Sequence, residues 1–321
     1  MPDSSAARFK PGLYITLVAL AALTAYAYTL RKDGIFSCPA TGYGPDSYLA
    51  YCETDHYGDY DHGALWFDLE PGIRRFLSGA QVLFLGNSRM QFGFSSDTTS
   101  RWFAAGKVPY YLMGFAYWEN YQFEWPLLKR IKPKPKVYII NMDLFFGTVV
   151  SGPAASVMND SNAVSSYRRK RLWQFPHRAL CSSFAQLCGD KGTFYRSVRS
   201  GEYTRSGGTD YHDPVSYDMT IDDQLVADYV KRGREFFASL ALDRKCILIT
   251  LVPSKDTRYG STKAIADALG LALIAPQPAD LTMFDHSHLD RPSAERWSQA
   301  FFEAAGPQIH QCLNHDAGVE G

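Results

Sequence analysis

The chain reads as an α/β protein: a three-layer sandwich around a parallel five-stranded sheet, preceded by one N-terminal transmembrane helix. Three observations predict this. Short apolar runs of strand length alternate with helical stretches from residue 80 to residue 306, the pattern of a parallel sheet buried on both faces. Hydrophobic residues make up 46% of the 321, enough for a sizeable core. Residues 12–30 carry no charge at all.

That first segment, Gly12 to Leu30, reads GLYITLVALAALTAYAYTL. At 1.5 Å per residue it extends about 28 Å, close to the hydrocarbon thickness of a bilayer. Arg8 and Lys10 precede it, and Arg31 and Lys32 follow it, so flanking charge alone does not orient it. A short arm, residues 1–11, before a single span favours a cytoplasmic N-terminus and an exported domain. A cleaved signal peptide is the competing reading, with Ala25-Tyr26-Ala27 as a small-x-small cleavage site. The uncleaved anchor is favoured because the apolar run continues to Leu30.

Residues 31–79 are polar, aromatic and weakly periodic, and read as an irregular lead-in. His56, Asp59, Asp61 and His62 within them are the residue types of a metal site. With no helix or strand to fix their geometry, a solvated loop is the expectation. From residue 80 the strands are Gln81–Leu85, Pro109–Met113, Val137–Met142, Cys246–Val252 and Leu271–Ile274. The helices are Trp118–Ile131, with Pro126 lowering its regularity, then Ile221–Leu240, Ser261–Leu269 and Ser293–Ala305. The last is read as capped by Ser293 and closed by Gly306, leaving residues 307–321 as a tail.

Residues 147–220 interrupt the alternation and read as an insertion beside the site, a lid or substrate surface. Arg168-Arg169-Lys170-Arg171 within them is expected to be a solvated helix face. The functional alternative is contact with an anionic glycan, phospholipid headgroups or a partner protein. Formal net charge is zero, with 33 basic and 33 acidic residues, so there is no electrostatic case for nucleic acid. Six cysteines suit an oxidising compartment. Cys38–Cys52 and Cys181–Cys188 are the nearest pairs. Cys246, inside an apolar run, can equally be a buried thiol, with Cys312 left over. No spacing suggests zinc, and no cofactor is expected.

The chemistry concentrates at strand ends. Ser88 ends the apolar run Val82-Leu83-Phe84-Leu85-Gly86-Asn87, and Asp285-His286-Ser287-His288 follows the fifth strand. Ligands of such sheets bind beyond the carboxyl ends of the strands. A serine hydroxyl needs an imidazole to take its proton, and that imidazole needs a carboxylate to hold its tautomer. Ser88 as nucleophile, His288 as base and Asp285 as its orienter satisfy this. His286, adjoining Asp285, has to point the other way. Each residue alone reads as a cap or loop hydrogen bond; together, at the ends of strands on one sheet edge, they favour catalysis. Val252-Pro253-Ser254-Lys255-Asp256 follows the fourth strand and either lines the same groove or simply ends the strand.

Gly86-Asn87-Ser88-Arg89 resembles the first block of the SGNH (GDSL-type) hydrolases, with Asn87 where Asp is usual. Asp285-x-x-His288 followed by Leu289 resembles their last block. The resemblance covers about residues 80–305 and implies a flavodoxin-like sheet and an acylated serine. It implies an oxyanion hole of the serine amide, a glycine and an asparagine, for which Gly114 and Asn141 are the candidates. The middle blocks depart from the pattern: Gly114 lacks its following Asn, and Asn141-Met142-Asp143 stands where Gly-x-Asn-Asp is usual. An α/β-hydrolase elbow is disfavoured because Met90 occupies its last glycine position.

With a membrane anchor, the resemblance is to cell-surface O-acyltransferases of the alginate acetylation and teichoic acid D-alanylation type. It implies a polysaccharide acceptor, an acyl donor and a membrane-bound O-acyltransferase partner. It also implies a bacterial inner membrane location with the domain facing the periplasm. An exported esterase and a catalytically silent scaffold subunit are the alternatives.

Overall fold

The computed structural model describes residues 11–314. The arm before Pro11 and residues 315–321 of the tail lie outside the described residues. Helix α1, Pro11–Asp33, has 23 residues, about 34 Å of helix. By length and composition it is long and apolar enough to cross a membrane.

Residues 31–79, expected as an irregular lead-in, complete α1 at Asp33 and then form strand β1 (Ser47–Cys52) and helices α2 (Asp61–Trp66) and α3 (Ile73–Ser78). Two strand–helix units follow: β2 (Val82–Asn87) with α4 (Ser88–Phe94) and α5 (Asp97–Gly106), then β3 (Tyr110–Phe115) with α6 (Tyr121–Ile131). Strand β4 is Val137–Asn141. The insertion contains α7 (Gly152–Asn159), α8 (Ala163–Ser183), β5 (Thr193–Ser197) and β6 (Tyr203–Ser206). The two-residue strands β7 (Asp213–Pro214) and β8 (Tyr217–Asp218) complete it. Beyond it lie α9 (Asp223–Ser239), β9 (Ile247–Thr250), β10 (Thr257–Arg258) and α10 (Tyr259–Leu269). The chain ends with β11 (Ala272–Leu273), β12 (Thr282–Met283) and α11 (Arg291–Asn314).

The five expected strands pair in parallel in the order β3-β2-β4-β9-β11. This is the doubly wound order in which the chain reverses direction between β2 and β4, opening a crevice at their carboxyl ends. Strand side chains alternate between two buried clusters. Leu83, Leu85, Met113, Ile140 and Ile249 pack with Phe123 and Leu127 of α6 and Phe236 of α9. Phe84, Leu112, Ile139 and Leu248 pack with Phe94, Phe103 and the α11 residues Trp297 and Phe301. Burial on both faces is why these strands read as unbroken apolar runs.

A second, antiparallel sheet of order β1-β5-β6 joins the segment before the main sheet to the insertion. It docks on the β3 edge, where the Leu112 amide donates to the Ser200 carbonyl at 2.8 Å. Its keystone is Arg196, fully buried and paired with Asp61 at 2.6 Å. The guanidinium also donates to the carbonyls of Leu112 and Gly201 at 2.6 and 2.9 Å, and to that of Gly114. His62 is likewise buried, between Asp59 and Glu119 at 2.9 Å each. Asp59, Asp61 and His62 therefore form an interior charge network, not a solvated loop. Only His56 of the four stands exposed, against Asp33.

Three disulfides close: Cys38–Cys52, Cys181–Cys188 and Cys246–Cys312. Cys246 is thus not a free buried thiol; it ties the entry to β9 to the end of α11. That helix runs through Gly306 and Pro307 to Asn314 instead of stopping at Ala305, because Ile309 and Cys312 continue its buried face. Its start is capped one turn earlier than Ser293. The Asp290 carboxylate accepts from the Ser293 amide at 2.9 Å, and its carbonyl from the Ala294 amide at 2.8 Å. Helix α6 continues through Pro126 but begins three residues later than expected, at Tyr121, where the Asn120 side chain caps the Gln122 amide.

Candidate active site

Strand β2 turns into α4 at Gly86-Asn87-Ser88. Gly86 has φ +149°, and a Cβ there would lie 3.0 Å from the Asn141 Cβ and 3.2 Å from that of Met90. The turn therefore requires glycine. The Gly86 amide, past the end of the β2–β4 ladder, donates to the buried Glu124 carboxyl at 2.9 Å. Burial pushes that carboxyl well above its usual range despite this bond. Asn87 caps α4 by accepting from the Arg89 amide at 3.0 Å. Ser88 follows as the first residue of α4, and its amide is one of those a helix start leaves without an intrahelical acceptor.

The loop after β12 comes to meet it. Ser88 Oγ lies 2.7 Å from His288 Nε2, and His288 Nδ1 lies 2.7 and 2.9 Å from the two Asp285 oxygens. Asp285 Oδ1 also accepts from the amides of His288 at 2.9 Å and Ser287 at 3.2 Å. The loop thus folds the carboxylate back onto the ring three residues later. Burial disfavours the charge on Asp285, but the bonds from the His288 ring and the two amides outweigh it. Its carboxyl is held below the usual range.

The imidazole is held by aromatic rings as well. Phe284 stacks on it at 5.6 Å, and Phe92 and Phe194 meet it edge-on at 4.9 and 6.4 Å. His286 turns away, pairing with Asp213 and packing on Tyr211 at 4.3 Å.

Ser88 and His288 open into a cavity of about 560 Å³. Tyr51, Tyr117, Trp118, Phe194, Tyr211 and Phe284 line it, with Arg89, Lys191 and Arg205 among the polar groups. A second cleft, of about 810 Å³, adjoins it and shares Arg205, Gly208 and Phe284. Tyr117 and Trp118 both hold positive φ, 64° and 58°. Two successive non-glycine residues in this conformation at a cavity wall are backbone strain of the kind that accompanies binding sites.

Gly114 and Asn141 are not part of this cavity. Gly114 lies inside β3, where a Cβ would stand 2.7 Å from the Asn87 carbonyl oxygen and from Met90 Cε; it is there to let α4 pack. Its carbonyl accepts from Gln91 and Arg196. Asn141 is fully buried, and its Oδ1 accepts from the Val252 amide at 3.0 Å, joining β4 to the chain leaving β9. The 252–256 loop likewise turns away, with Ser254 bridged to Ser216. Of the middle-block residues, Asp143 is the one that reaches the site.

Arg89 enters the sequence reading only as the last residue of the Gly86–Arg89 block, with no role of its own. Its guanidinium donates to Asp143 Oδ2 at 2.8 Å and to Ser287 Oγ at 3.1 Å, and lies 4.8 Å over the Trp118 ring. Asp143 in turn accepts from Asn87 Nδ2 at 3.1 Å. One side chain next to the serine therefore ties together the loops after β2, β3, β4 and β12. The only signal in the sequence was its place beside Ser88.

No family model matches the chain, and no curated protein or solved structure matches it.

Proposed function

We propose that this chain is a membrane-anchored, extracytoplasmic serine O-acyltransferase of SGNH type that modifies a polysaccharide through an acyl-Ser88 intermediate. The observation that carries the reading is the unbroken hydrogen-bonded chain Ser88–His288–Asp285 at the mouth of an aromatic-lined cavity. The five-stranded sheet in doubly wound order, with both faces buried, supports the three-layer SGNH architecture.

In this reading His288 Nε2 takes the Ser88 proton as Oγ attacks the acyl carbonyl. Asp285 holds the proton on Nδ1 and stabilises the imidazolium. The tetrahedral intermediate collapses to acyl-serine, and His288 returns its proton to the leaving group. An acceptor hydroxyl then gives its proton to His288 and attacks the ester, releasing acylated product and restoring Ser88. The Ser88 amide, left without an intrahelical acceptor at the start of α4, is the oxyanion donor nearest the acyl carbonyl, and the 116–118 loop lines the same cavity. The exposed rings of Tyr117, Trp118 and Tyr211 suit the faces of sugar rings, and two adjoining clefts suit a donor and an acceptor. An acetyl donor, a membrane-bound O-acyltransferase partner and a bacterial inner membrane setting complete the proposal.

The test is incubation of the purified chain with an activated acetyl ester, followed by intact mass. An acyl adduct absent in Ser88→Ala, with turnover that needs added glycan, supports transfer. Rapid turnover without glycan makes the protein an esterase. Neither adduct nor turnover, with no phenotype for Ser88→Ala in cells, overturns both and leaves a scaffold.

A further inference from the structure

The basic stretch of α8 has a feature that the proposed chemistry does not use. The helix buries Ala163, Tyr167, Gln174, His177 and Cys181 against the domain. On its opposite face Leu172 and Phe175 are 74% and 81% exposed, next to Arg168 and Arg169, which are also exposed. The apolar exposure continues past the helix end, where Phe184 is 58% exposed and Leu180 and Leu187 stand out beside it. The Cys181–Cys188 disulfide closes this end. Large apolar side chains flanked by arginines are the composition of a helix that lies in a membrane interface.

The position of this face identifies its occupant. The Gly189 amide donates to the Phe36 carbonyl at 2.8 Å and the Lys191 amide to the Ser37 carbonyl at 3.1 Å. His177 meets the Phe36 ring at 5.6 Å. Phe36 is three residues beyond Asp33, the end of α1, a reach of at most about 11 Å. Nor is that junction a free linker. Asp33 binds the Asp55 amide at 3.1 Å and His56 at 2.6 Å, and Ser37 Oγ donates to the Arg31 carbonyl at 2.7 Å. A span fixed this closely to the domain holds the end of α8 at the bilayer surface.

We infer that the exposed face of α8 and its disulfide-closed end, through Leu172, Phe175, Leu180, Phe184 and Leu187, insert into the anionic lipid interface beside the anchor. Arg168 and Arg169 lie at headgroup level, and the apolar side chains reach about 5–10 Å into the headgroup–acyl boundary. The domain is thereby held in a fixed attitude to the membrane instead of swinging on its span. The inference rests on α1 crossing a membrane and is independent of the acylation of Ser88.

The experiment uses the full chain reconstituted into vesicles of phosphatidylcholine and phosphatidylglycerol, with and without lipid brominated near the headgroup. Phe175→Trp and Phe184→Trp are the reporters, and Met219→Trp, at another exposed position, is the control; the parent chain's fluorescence is subtracted. The expected result is a blue-shifted emission and roughly twofold or greater excess quenching of both reporters over the control. A chain that floats with the vesicles but shows no excess quenching overturns the inference and leaves the anchor intact. A chain that does not float with them overturns the anchor and the inference together. Reporters unquenched in pure lipid yet shielded from acrylamide in native membranes reveal a protein on this face and overturn the lipid reading. Acyl labelling of Ser88 in the same samples reports separately on the proposed chemistry.

Discussion

Replacing Asp285 with Asn tests the proposed mechanism at one proton. Asp285 has two kinds of partner, the His288 ring and the amides of Ser287 and His288. An asparagine keeps a carbonyl oxygen for the two amides, so the loop retains its fold. The nitrogen then faces His288 Nδ1, which has to accept, and the ring proton moves to Nε2. Nε2 lies 2.7 Å from Ser88 Oγ, so it changes from acceptor to donor, and the serine loses its base. The expected loss is about 10⁴-fold in the rate of Ser88 acylation, or roughly 5 kcal/mol in the barrier. The assay is single-turnover labelling with an activated ester, read by intact mass, with thermal unfolding as the check on folding. Labelling of the folded Asp285→Asn chain within about tenfold of the parent rate would refute the assignment of His288 as base held by Asp285.

Three further outcomes concern the frame around the site. Asp61→Asn leaves the fully buried Arg196 without its counter-ion and is expected to destabilise the fold by about 3–5 kcal/mol, read as a lowered urea midpoint. Burial disfavours the charge on His62, but Asp59 and Glu119 overcome it and raise its pKa to about 10. Its folded pKa exceeds the unfolded value near 6.5, so the stabilisation is complete below about pH 6.5 and is lost as pH rises towards 10. Unfolding free energy should therefore fall between pH 7 and 9.5 by up to about 1.4 kcal/mol per unit. His62→Gln should flatten that slope, and an unchanged slope would disprove the assignment. Removing Cys246–Cys312, which closes 66 residues, with the double serine variant should cost about 4 kcal/mol by loop entropy, against a smaller loss for Cys181–Cys188, which closes 7.

The parts of this molecule legible in the sequence are those governed by local pattern. Val82–Asn87, Tyr110–Phe115 and Val137–Asn141 announce themselves because a strand buried on both faces must be apolar throughout. Ser88 and Asp285-x-x-His288 are visible because an apolar run that stops at a serine marks a strand end, and three residues are enough for a loop to turn a carboxylate back onto a ring. Helix boundaries were less legible. Asp290 ahead of Pro292 is as local a start signal for α11 as Ser293, and nothing local says that Tyr117 and Trp118 leave the helical register to line a cavity.

The interior charges show the limit most clearly. Asp59, Asp61 and His62 look solvated in a weakly periodic stretch, since isolated charges belong in water. Their partners Glu119 and Arg196 lie 57 and 135 residues away, and only the docking of β1, β5 and β6 onto the β3 edge brings them together. Arg89 is a similar case: its role comes from Asp143, Trp118 and Ser287, which arrive from three other loops. Gly114 and Asn141 lie outside the cavity lining: Gly114 gives room for α4, and Asn141 Oδ1 closes the chain leaving β9 while its Nδ2 has no partner. Thus which segments are buried strands, and the placement of Ser88 and Asp285-x-x-His288 just beyond them, were legible in the sequence alone, because pattern and covalent neighbourhood act over a few residues. Which charges are buried, which backbone lines the cavity and which face of α8 is left uncovered were decided by tertiary structure, because electrostatics and packing depend on distance in space.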